Sequence, residues 1–469
     1  MYVLCKSVKK RPNILFAIAD DMSFGHTSFD GYPEVNTPAF DKIANEGIYF
    51  QNAYCSAPSC SPSRAAILTG KNGYELEEGG VLWSYLPGKF LVYQDLLDQN
   101  GYLTGYTGKG WGPGDLEIAN RYKNPAGKAY NDLKATPVMS CGKVSGISSI
   151  DYFSNFKQFL AQREDGQPFS FWFASYEPHR VYQEGVGKLV GKDPSKVLVP
   201  GFFPDTEEIR SDILDYLVEI EWYDMHLLKM MTYLDSIGEL ENTIVVMTSD
   251  NGMPFPRAKS NLYEYGAHMP LAIRWGNKLS RVVDDFISFV DFAPTFLEAA
   301  KVAIPETMSG KSFYDILLSK KSGQIDPERN TAIIYKERHA WVQPEGECTP
   351  VRAYRKDNWL VIWNLAPDMW PAGHPDPEIN FNLWPFGDVD DGPSKTEVMK
   401  QKNKENVVDY FNMAFGKRPE FELYDIQKDP YQLSNLATNS QYTEILNSLI
   451  DEMKNNKYVI LSAFTSSLG

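Results

Sequence analysis

Three short apolar runs in this chain each end abruptly in acidic or other polar side chains. They are Asn13–Ala19 before Asp20 and Asp21, residues 169–175 before Glu177 to Arg180, and Thr243–Ser249 before Asp250 and Asn251. Continuous apolar runs of this length are typical of strands buried on both faces, as in parallel sheets. Ligands bind outside the carboxyl ends of the strands in open α/β sheets. The pattern therefore predicts an α/β fold with a site at that edge of its sheet.

Helical segments alternate with these runs. Apolar residues recur at helical spacing over residues 206–234, and Gly238 provides a stop. Thr37 and Pro38 supply an N-cap and a first residue for an earlier helix, which Gly47 ends. Alternation of strands and helices predicts a sheet that is covered by helices on both faces.

The chain has 469 residues, which is too many for one ordinary hydrophobic core. Its amino-acid composition changes in the last quarter. Pro, Asp, Asn and Trp are frequent over residues 365–393, which predicts a long irregular segment. Residues 360–363 indicate a strand, and residues 441–455 indicate a terminal helix. We therefore predict a catalytic domain over residues 1–347 and a C-terminal subdomain over residues 348–469.

Composition excludes several classes of function. With 46 basic and 61 acidic residues the net charge is −15, so broad electrostatic binding to nucleic acid or to an anionic membrane is not expected. No apolar run reaches the 18 residues or so of a membrane-spanning helix. The cysteines are too few and too scattered for a disulfide framework, and no C-x-x-C pair or histidine cluster indicates zinc. They are Cys5, Cys55, Cys60, Cys141 and Cys348.

The stretch from Cys60 to Gly70 reads C-S-P-S-R-A-A-I-L-T-G. Pro62 suits the first turn of a helix and Gly70 suits its end, so Cys60 is predicted to lie at a helix N-terminus. The free N–H groups and the helix dipole favour an anion there, whether a thiolate or a bound oxyanion. A buried structural cysteine before an ordinary helix is the alternative interpretation.

This stretch resembles the signature of the type I sulfatases, in which C-x-P-S-R is followed by T-G. The resemblance extends over nearly the whole chain, through P-N-I-L-F-A-I-A-D-D, T-S-D-N-G and E-L-Y-D-I-Q-K-D-P-Y-Q-L-S-N-L-A. Within that family, E-P-H-R, V-L-V-P-G-F-F-P-D-T and S-D-N-G-M-P-F-P are most similar to the N-sulfoglucosamine sulfohydrolases. The resemblance implies an alkaline-phosphatase-like α/β fold. A large mixed, mostly parallel sheet would lie between helices, followed by a smaller C-terminal domain with a short antiparallel sheet.

The resemblance also implies a modified cysteine and a metal. Cys60 would be converted to formylglycine by a formylglycine-generating maturation enzyme, and its hydrated aldehyde would be the nucleophile. One Ca²⁺ ion would be bound by Asp20, Asp21, Asp250, Asn251 and the modified Cys60. The oxygen-rich side chains suit Ca²⁺ or Mg²⁺ on chemical grounds alone, although each pair could instead cap a helix or fill a turn.

Four further residues match the family's catalytic positions. Arg64, Lys109 and Lys259 would offset charge on the sulfuryl oxygens, and His179 would protonate the leaving group, for which an imidazole is suited. Taken alone, each has an ordinary interpretation as a solvated cation or a structural histidine. The other histidines have no comparable motif and are interpreted as structural or substrate-proximal at most: His26, His226, His268, His339 and His374.

One position departs from the family pattern. Many sulfatases carry a histidine two residues after the equivalent of Lys109, where it helps to eliminate sulfate, and here that residue is Trp111. Another group takes that role, or turnover is slow, or the register of this loop differs by one residue. As a further hypothesis, Trp111 forms a wall of the sugar subsite by stacking on the substrate.

The expected activity is hydrolysis of the N-sulfate of glucosamine in saccharides derived from heparin or heparan sulfate. The alternatives are a 6-O-sulfatase acting on glucosamine or another glycan sulfate ester, a phosphonate or phosphate-ester hydrolase, and a non-catalytic glycan-binding relative. The acidic surface favours exo-action on short saccharides. Residues that discriminate between sugars are expected after residue 335, with His339, Glu347, Arg352 and His374 as candidates.

The sequence leaves the oligomeric state and the compartment open. The resemblance implies a periplasmic or secreted protein, yet the first residues, M-Y-V-L-C-K-S-V-K-K-R-P, lack the apolar region of a signal peptide. Either the protein stays inside the cell, or a leader is missing from or replaced in this sequence.

Overall fold

The computed structural model describes residues 10–276, 279–379, 384–405 and 408–455. Residues 1–9, which include Cys5 and on which the interpretation of the leader rests, lie outside the described residues. The strands are β1 (Asn13–Ala19), β2 (Ile48–Tyr54), β3 (Leu103–Gly108), β4 (Lys128–Ala129), β5 (Val138–Met139), β6 (Gly142–Lys143), β7 (Phe169–Ala174), β8 (Thr243–Ser249), β9 (Ala272–Trp275), β10 (Arg281–Ser288), β11 (Thr331–Lys336), β12 (Val351–Lys356), β13 (Trp359–Asn364) and β14 (Phe421–Asp425).

The α-helices are α1 (Pro38–Asn45), α2 (Cys60–Thr69), α3 (Tyr93–Gln99), α4 (Tyr152–Leu160), α5 (Val186–Leu189), α6 (Glu207–Ser236), α7 (Glu264–Ala267), α8 (Phe292–Ala299), α9 (Tyr314–Leu318), α10 (Pro393–Met399), α11 (Tyr410–Phe415) and α12 (Thr443–Asn455). The long α6 begins where the sequence predicts, and the side chain of its N-cap Thr206 accepts a hydrogen bond from the Ile209 amide. Among the described residues, none of the helices combines the length and the apolar character needed to cross a bilayer.

An eight-stranded sheet has the order β10-β2-β9-β8-β1-β7-β3-β4. Its neighbours are parallel except where β9 pairs antiparallel with β2 and β8. The two faces of the central strand β1 belong to different cores. Ile14, Phe16 and Ile18 pack into one core with residues of α2 and α8, whereas Leu15 and Ala17 pack into another with residues of α1, α4 and α6. The predicted doubly buried strand and the mixed, mostly parallel sheet between helices are confirmed.

A separate four-stranded antiparallel sheet has the order β11-β12-β13-β14. One face joins the core of the large sheet through residues such as Leu360 and Ile362. The other face is covered by the terminal helix α12, against which Val361 and Leu423 pack. The predicted second sheet is therefore present. Its first strand precedes residue 347, and the domain division at that residue stays a prediction.

Candidate active site

The register of β1 and β8 brings four polar side chains together. Ala19 pairs with Ser249 across the two parallel strands, so Asp20 and Asp21 continue one strand beside Asp250 and Asn251 on the other. The Asp250 amide donates to the Ala19 carbonyl at 3.1 Å, and the Asp21 amide donates to Asp250 Oδ1 at 3.1 Å. Asp21 has a φ of 75°, a left-handed conformation that is unusual for a residue other than glycine and is found at functional sites.

The side chains at these strand ends fit a bound cation. One carboxylate oxygen from each of Asp20, Asp21 and Asp250 lies within 4.8 Å of the others. Asn251 Oδ1 is buried and has no hydrogen-bond partner, although its amide nitrogen donates to Asp21 Oδ1 at 2.6 Å. Burial, and repulsion from Asp20, raise the pKa of Asp250 to about 6 against the opposing effect of Arg64. A hard cation among these oxygens would satisfy the orphaned amide oxygen and relieve the crowding of negative charge.

Cys60 is the first residue of α2, as predicted, and its thiol points at the carboxylates. Its Sγ lies 3.5 Å from Asp20 Oδ1 and 3.9 Å from both Asp21 Oδ1 and Lys259 Nζ. Burial raises the pKa of the Cys60 thiol, and Lys109 and Lys259 only partly counteract that effect. The unmodified side chain is therefore a neutral thiol, which is a weak nucleophile.

Arg64 is one helical turn after Cys60 and is fully buried. Its guanidinium donates to Asp250 Oδ2 at 2.8 Å, to Asp20 Oδ1 at 3.3 Å and to the Lys109 carbonyl at 2.8 Å. It therefore holds the carboxylates in place, a contact that the spacing from Cys60 did not reveal. The fork geometry of arginine suits this use, because it presents several donors in one plane.

Two lysines complete the charge balance. Lys109 Nζ lies 2.8 Å and 2.7 Å from the two carboxylate oxygens of Asp20, and Lys259 Nζ contacts Asp21 Oδ2. Burial opposes ionisation of Asp20, but Lys109 and Arg64 outweigh it and hold the pKa of this carboxyl well below its usual range. Burial likewise opposes charge on Lys109, but Asp20 outweighs it and raises the lysine's pKa. Asp20 and Lys109 are therefore both charged.

His179 follows β7 and approaches the same carboxylate oxygen of Asp21 that Lys259 contacts. Its Nδ1 is 2.7 Å from the Arg180 carbonyl, and because a carbonyl only accepts, Nδ1 carries the hydrogen. Its Nε2 faces the site, 3.7 Å from Asp21 Oδ2. The loop is anchored by Arg180, whose guanidinium donates to both carboxylate oxygens of Asp212 at 2.8 Å and 2.6 Å. Nε2 is thus available to exchange a proton with a bound molecule.

Five of the predicted site residues line one cavity of about 790 Å³, whereas Asp21, Arg64, Asp250 and Asn251 do not line it. The lining includes Asp20, Cys60, Lys109, His179, Lys259 and His339, and also side chains that the sequence did not single out: Trp83, Tyr176, Val181, Trp384, Asp390 and Asp391. Asp390 lies 3.8 Å from Lys259, and the charge of Lys259 outweighs burial to hold the pKa of Asp390 at about 2. No periodicity or motif marks the segment of residues 384–391, and only its acidic pair could have drawn attention to it.

The residues proposed to contact the sugar differ in whether they line the cavity. Of the four proposed sugar-discriminating residues, His339 lines the cavity and Glu347, Arg352 and His374 do not. His339 is buried with its Nδ1 2.8 Å from Ser59 Oγ. Trp111 is buried in the core of the large sheet and does not line the cavity, which contradicts the hypothesis that its ring forms a wall of the sugar subsite.

Comparison with known families and proteins gives consistent matches. Residues 12–302 match the sulfatase family, and residues 257–365 match the family described as N-sulphoglucosamine sulphohydrolase, C-terminal. The human N-sulphoglucosamine sulphohydrolase is 26% identical over 96% of this chain and 90% of its own length. An N-acetylglucosamine-6-O-sulfatase of Bacteroides thetaiotaomicron is 26% identical over 66% of this chain and 72% of its own length.

Solved structures share the fold. A protein solved in complex with its substrate D-glucosamine-2-N,6-O-disulfate superposes with a TM-score of 0.67 over 96% of this chain and 98% of that one, at 20% identity. The expected alkaline-phosphatase-like arrangement of a large sheet and a small antiparallel sheet is confirmed.

Proposed function

The chain belongs to the sulfatase family, and from that premise we propose that it removes the sulfate group from the nitrogen of glucosamine N-sulfate. Its reaction class is hydrolysis of sulfate esters and related sulfuryl groups. The observation that carries the proposal is the position of Cys60, which lines the cavity with its Sγ within 3.9 Å of Asp20, Asp21 and Lys259.

Two groups that the family generally uses fit these residues. Asp20, Asp21, Asp250, Asn251 and the modified Cys60 would hold Ca²⁺, which would polarise a sulfuryl oxygen. Conversion of Cys60 to formylglycine by a maturation enzyme would supply the nucleophilic hydroxyl. Lys109 and Lys259 then bind the anionic sulfuryl oxygens from two sides, because each ammonium lies at the cavity wall and Lys259 is within 3.9 Å of Cys60 Sγ.

His179 serves the leaving group. An amine expelled from sulfur needs a proton, and Nε2 of His179 faces the cavity while Nδ1 is held by the Arg180 carbonyl. In the imidazolium form Nε2 also carries a proton, which passes to the departing nitrogen and leaves the ring neutral, while the hydrogen bond at Nδ1 holds the ring in this orientation. Because the surrounding carboxylates and cations are buried, little water screens them, and their electrostatic interactions with a bound anion are strong.

The N-sulfate preference is supported by the match of residues 257–365 and by the human relative, whose name specifies N-sulphoglucosamine. A 6-O-sulfatase is the second candidate, favoured by the Bacteroides relative. The sulfuryl-binding residues do not distinguish the two, because both substrates present the same anionic head. The sugar-facing side chains His339, Asp390 and Asp391 are the ones that would decide.

The test compares glucosamine N-sulfate with N-acetylglucosamine 6-O-sulfate at equal pH and calcium. We expect a kcat/KM at least tenfold higher for the N-sulfate, about 1.4 kcal/mol of transition-state discrimination. A tenfold preference for the 6-O-sulfate would replace the sulfamidase with an O-sulfatase. Turnover of a phosphonate monoester in preference to both would identify the chain as a phosphonate hydrolase.

A matched pair of variants tests the nucleophile. Cys60→Ala should abolish turnover, whereas Cys55→Ala, at another buried free cysteine that does not line the cavity, should retain it. Mass spectrometry of the Cys60 peptide should show a residue about 18 Da lighter than cysteine. An unmodified Cys60 in a protein purified from its natural host would support the non-catalytic, glycan-binding alternative.

A further inference from the structure

A smaller cavity, separate from the one at Cys60, lies against the loop of residues 24–32 that follows Asp20 and Asp21. Its volume is about 210 Å³, and it shares no lining residue with the larger cavity. Rings make up most of its lining, which comprises Phe24, Gly25, His26, Asp30, Gly31, Tyr32, Leu198, Tyr265 and Tyr431. Pockets for drug-sized ligands begin at about 300 Å³, so this cavity suits a smaller molecule.

The rings of this cavity are inclined to one another. The centroid of the His26 ring lies 4.9 Å from that of Tyr32, at an interplanar angle of 77°. It lies 5.9 Å from that of Tyr265, at 62°. The rings of Tyr265 and Tyr431 are 6.1 Å apart and inclined by 38°. Because these rings differ in orientation and all border the cavity, they form aromatic walls on more than one side of it.

The carboxylate of Asp30 adds negative charge to these walls. The Thr27 hydroxyl donates to its Oδ2 at 2.6 Å, and the Tyr49 hydroxyl donates to its Oδ1. Burial raises the pKa of Asp30, and these two hydrogen bonds oppose that rise. Within the described part of the chain, no basic side chain forms an ion pair with this carboxylate. Since a carboxylate can accept about four hydrogen bonds, Asp30 retains the capacity to attract a cation.

The faces of the aromatic rings are likewise not covered by a cation of the protein. Elsewhere in the molecule a guanidinium lies over a tyrosine ring, as Arg257 lies over Tyr263 at 4.0 Å. Among the described residues, no lysine or arginine lies over Tyr32, Tyr265 or Tyr431 at the distance of about 6 Å that a cation–π contact requires. The cavity therefore combines a carboxylate with ring faces that are open to a cation.

The two basic side chains near the cavity do not supply that cation. Burial lowers the pKa of His26 to about 3, so its ring is neutral at physiological pH. The charge of Arg210 reaches the Tyr32 hydroxyl, but its guanidinium donates to the two carboxylate oxygens of Asp205 at 2.6 Å and 2.7 Å. A cation that fills the cavity must therefore come from outside the chain.

We propose that this cavity binds a small organic cation through a methylated ammonium group, such as a trimethylammonium head. The methyl groups carry the positive charge to the ring faces, and the Asp30 carboxylate attracts it from the side. A primary ammonium would need acceptors for three N–H groups, and Asp30 is the one carboxylate among the lining residues. The inference is independent of the proposed function, because no residue of the larger cavity takes part.

The test titrates the full chain with choline and, separately, with 3,3-dimethylbutan-1-ol, which has the same shape but a carbon in place of the charged nitrogen. Calorimetry measures both affinities. We expect saturable binding of choline with a dissociation constant of about 1 mM or below, and binding of the uncharged alcohol at least about tenfold weaker. Tetramethylammonium should bind more tightly than methylammonium, because only the latter has three N–H groups to satisfy.

Matched variants locate the binding site, and thermal unfolding checks that each one is folded. Tyr431→Leu removes a ring but keeps an apolar side chain, and should weaken choline binding about tenfold, whereas Tyr431→Phe keeps the ring and should retain the affinity. Asp30→Asn removes the charge, keeps one acceptor oxygen and should also weaken binding about tenfold. Asp390→Asn removes an acid from the larger cavity instead, and should bind choline like the parent.

Equal affinities for choline and the uncharged alcohol would overturn the recognition of charge, and this comparison needs only the parent chain. Tighter binding of methylammonium than of tetramethylammonium would overturn the methylated class. Choline binding that survives both Asp30→Asn and Tyr431→Leu but is lost in Asp390→Asn would place the cation in the larger cavity and overturn the site. An absence of saturable binding of choline up to about 10 mM would overturn the proposal as a whole.

Discussion

Arg64 Nε donates to Asp250 Oδ2 across 2.8 Å, and neither side chain is exposed to solvent. The same guanidinium reaches Asp20 Oδ1 at 3.3 Å, so one cation bridges the polar ends of two neighbouring strands. Removal of one partner from a buried pair is costly because the other charge is left uncompensated.

We therefore expect Arg64→Gln to lower the free energy of unfolding by about 3–5 kcal/mol and to lower kcat/KM at least a hundredfold. Arg64→Lys keeps the charge but not the planar fork, and should recover stability in part. Urea denaturation and steady-state kinetics measure both effects. Lys188→Gln is the control, because it breaks a solvent-exposed pair with Glu207 worth less than about 1 kcal/mol. Equal losses in the two glutamine variants would contradict the bridging role.

The orphaned oxygen of Asn251 predicts the response to calcium. Calcium at about a hundred times its dissociation constant should stabilise the parent chain by about 2.7 kcal/mol, seen as a rise in Tm that a chelator reverses. Asn251→Ala removes one oxygen ligand and should need a higher calcium concentration for the same rise. Asp98→Asn, at an acid on the exposed end of α3, should behave like the parent. A parent chain whose Tm is insensitive to calcium would argue against the site.

The orientation of His179 predicts a dependence on the leaving group. His179→Gln should slow hydrolysis of glucosamine N-sulfate by about 10²–10⁴-fold, the usual contribution of a general acid. The same variant should act far less on 4-nitrophenyl sulfate, because a nitrophenolate departs without a proton. Parallel kinetics on the two substrates give the ratio. Equal losses on both would assign His179 to substrate binding instead.

Glu264 links the two sheets and predicts a loss of stability in acid. Its carboxylate accepts from Arg355 Nε at 3.1 Å and from the Tyr54 hydroxyl, and it lies 2.9 Å from His268 Nδ1. Burial opposes its ionisation, but Arg355 and His268 outweigh burial and hold its pKa at about 2. Because the pKa is depressed, the ionised form stabilises the fold fully above about pH 4.5. That stabilisation is lost as the pH falls towards 2.

Glu264→Gln should therefore cost about 3 kcal/mol at pH 7 and progressively less below pH 4.5, measured as the difference in unfolding free energy between parent and variant. Glu77→Gln, which breaks an exposed pair with Lys89, should show little difference at any pH. A Glu264→Gln deficit that stays constant between pH 7 and pH 3 would refute the electrostatic origin.

The parts of the fold that the sequence predicted are those in which burial is nearly uniform. The strands Asn13–Ala19 and Thr243–Ser249 were placed to the residue, because every side chain in them is buried and apolar runs therefore match the strands. The strand Val351–Lys356 was missed. Its Arg352 and Arg355 are buried through ion pairs with Glu337 and Glu264, partners that no local pattern connects to it.

The candidate site was likewise predicted in part. The polar residues at the strand ends and Cys60 lie in recognisable motifs, and the structure brings them together. The rim of the cavity consists of Trp83 and of Trp384, Asp390 and Asp391, which lie on irregular segments without periodicity. Their position depends on long-range packing, and for this reason the rim of the cavity could not be predicted from spacing.

The pairing of β1 with β8 joins residues that are separated by about half of the chain. Loop closure makes such non-local contacts slow to form, and they require the intervening strands and helices to be accommodated first. A chain still emerging from the ribosome has no ion-binding cluster until residue 251 has been synthesised and its strand has docked. Binding of a cation by this cluster would therefore wait for the docking of β8 against β1, and a calcium-sensitive probe would time that step in the assembly of the central sheet.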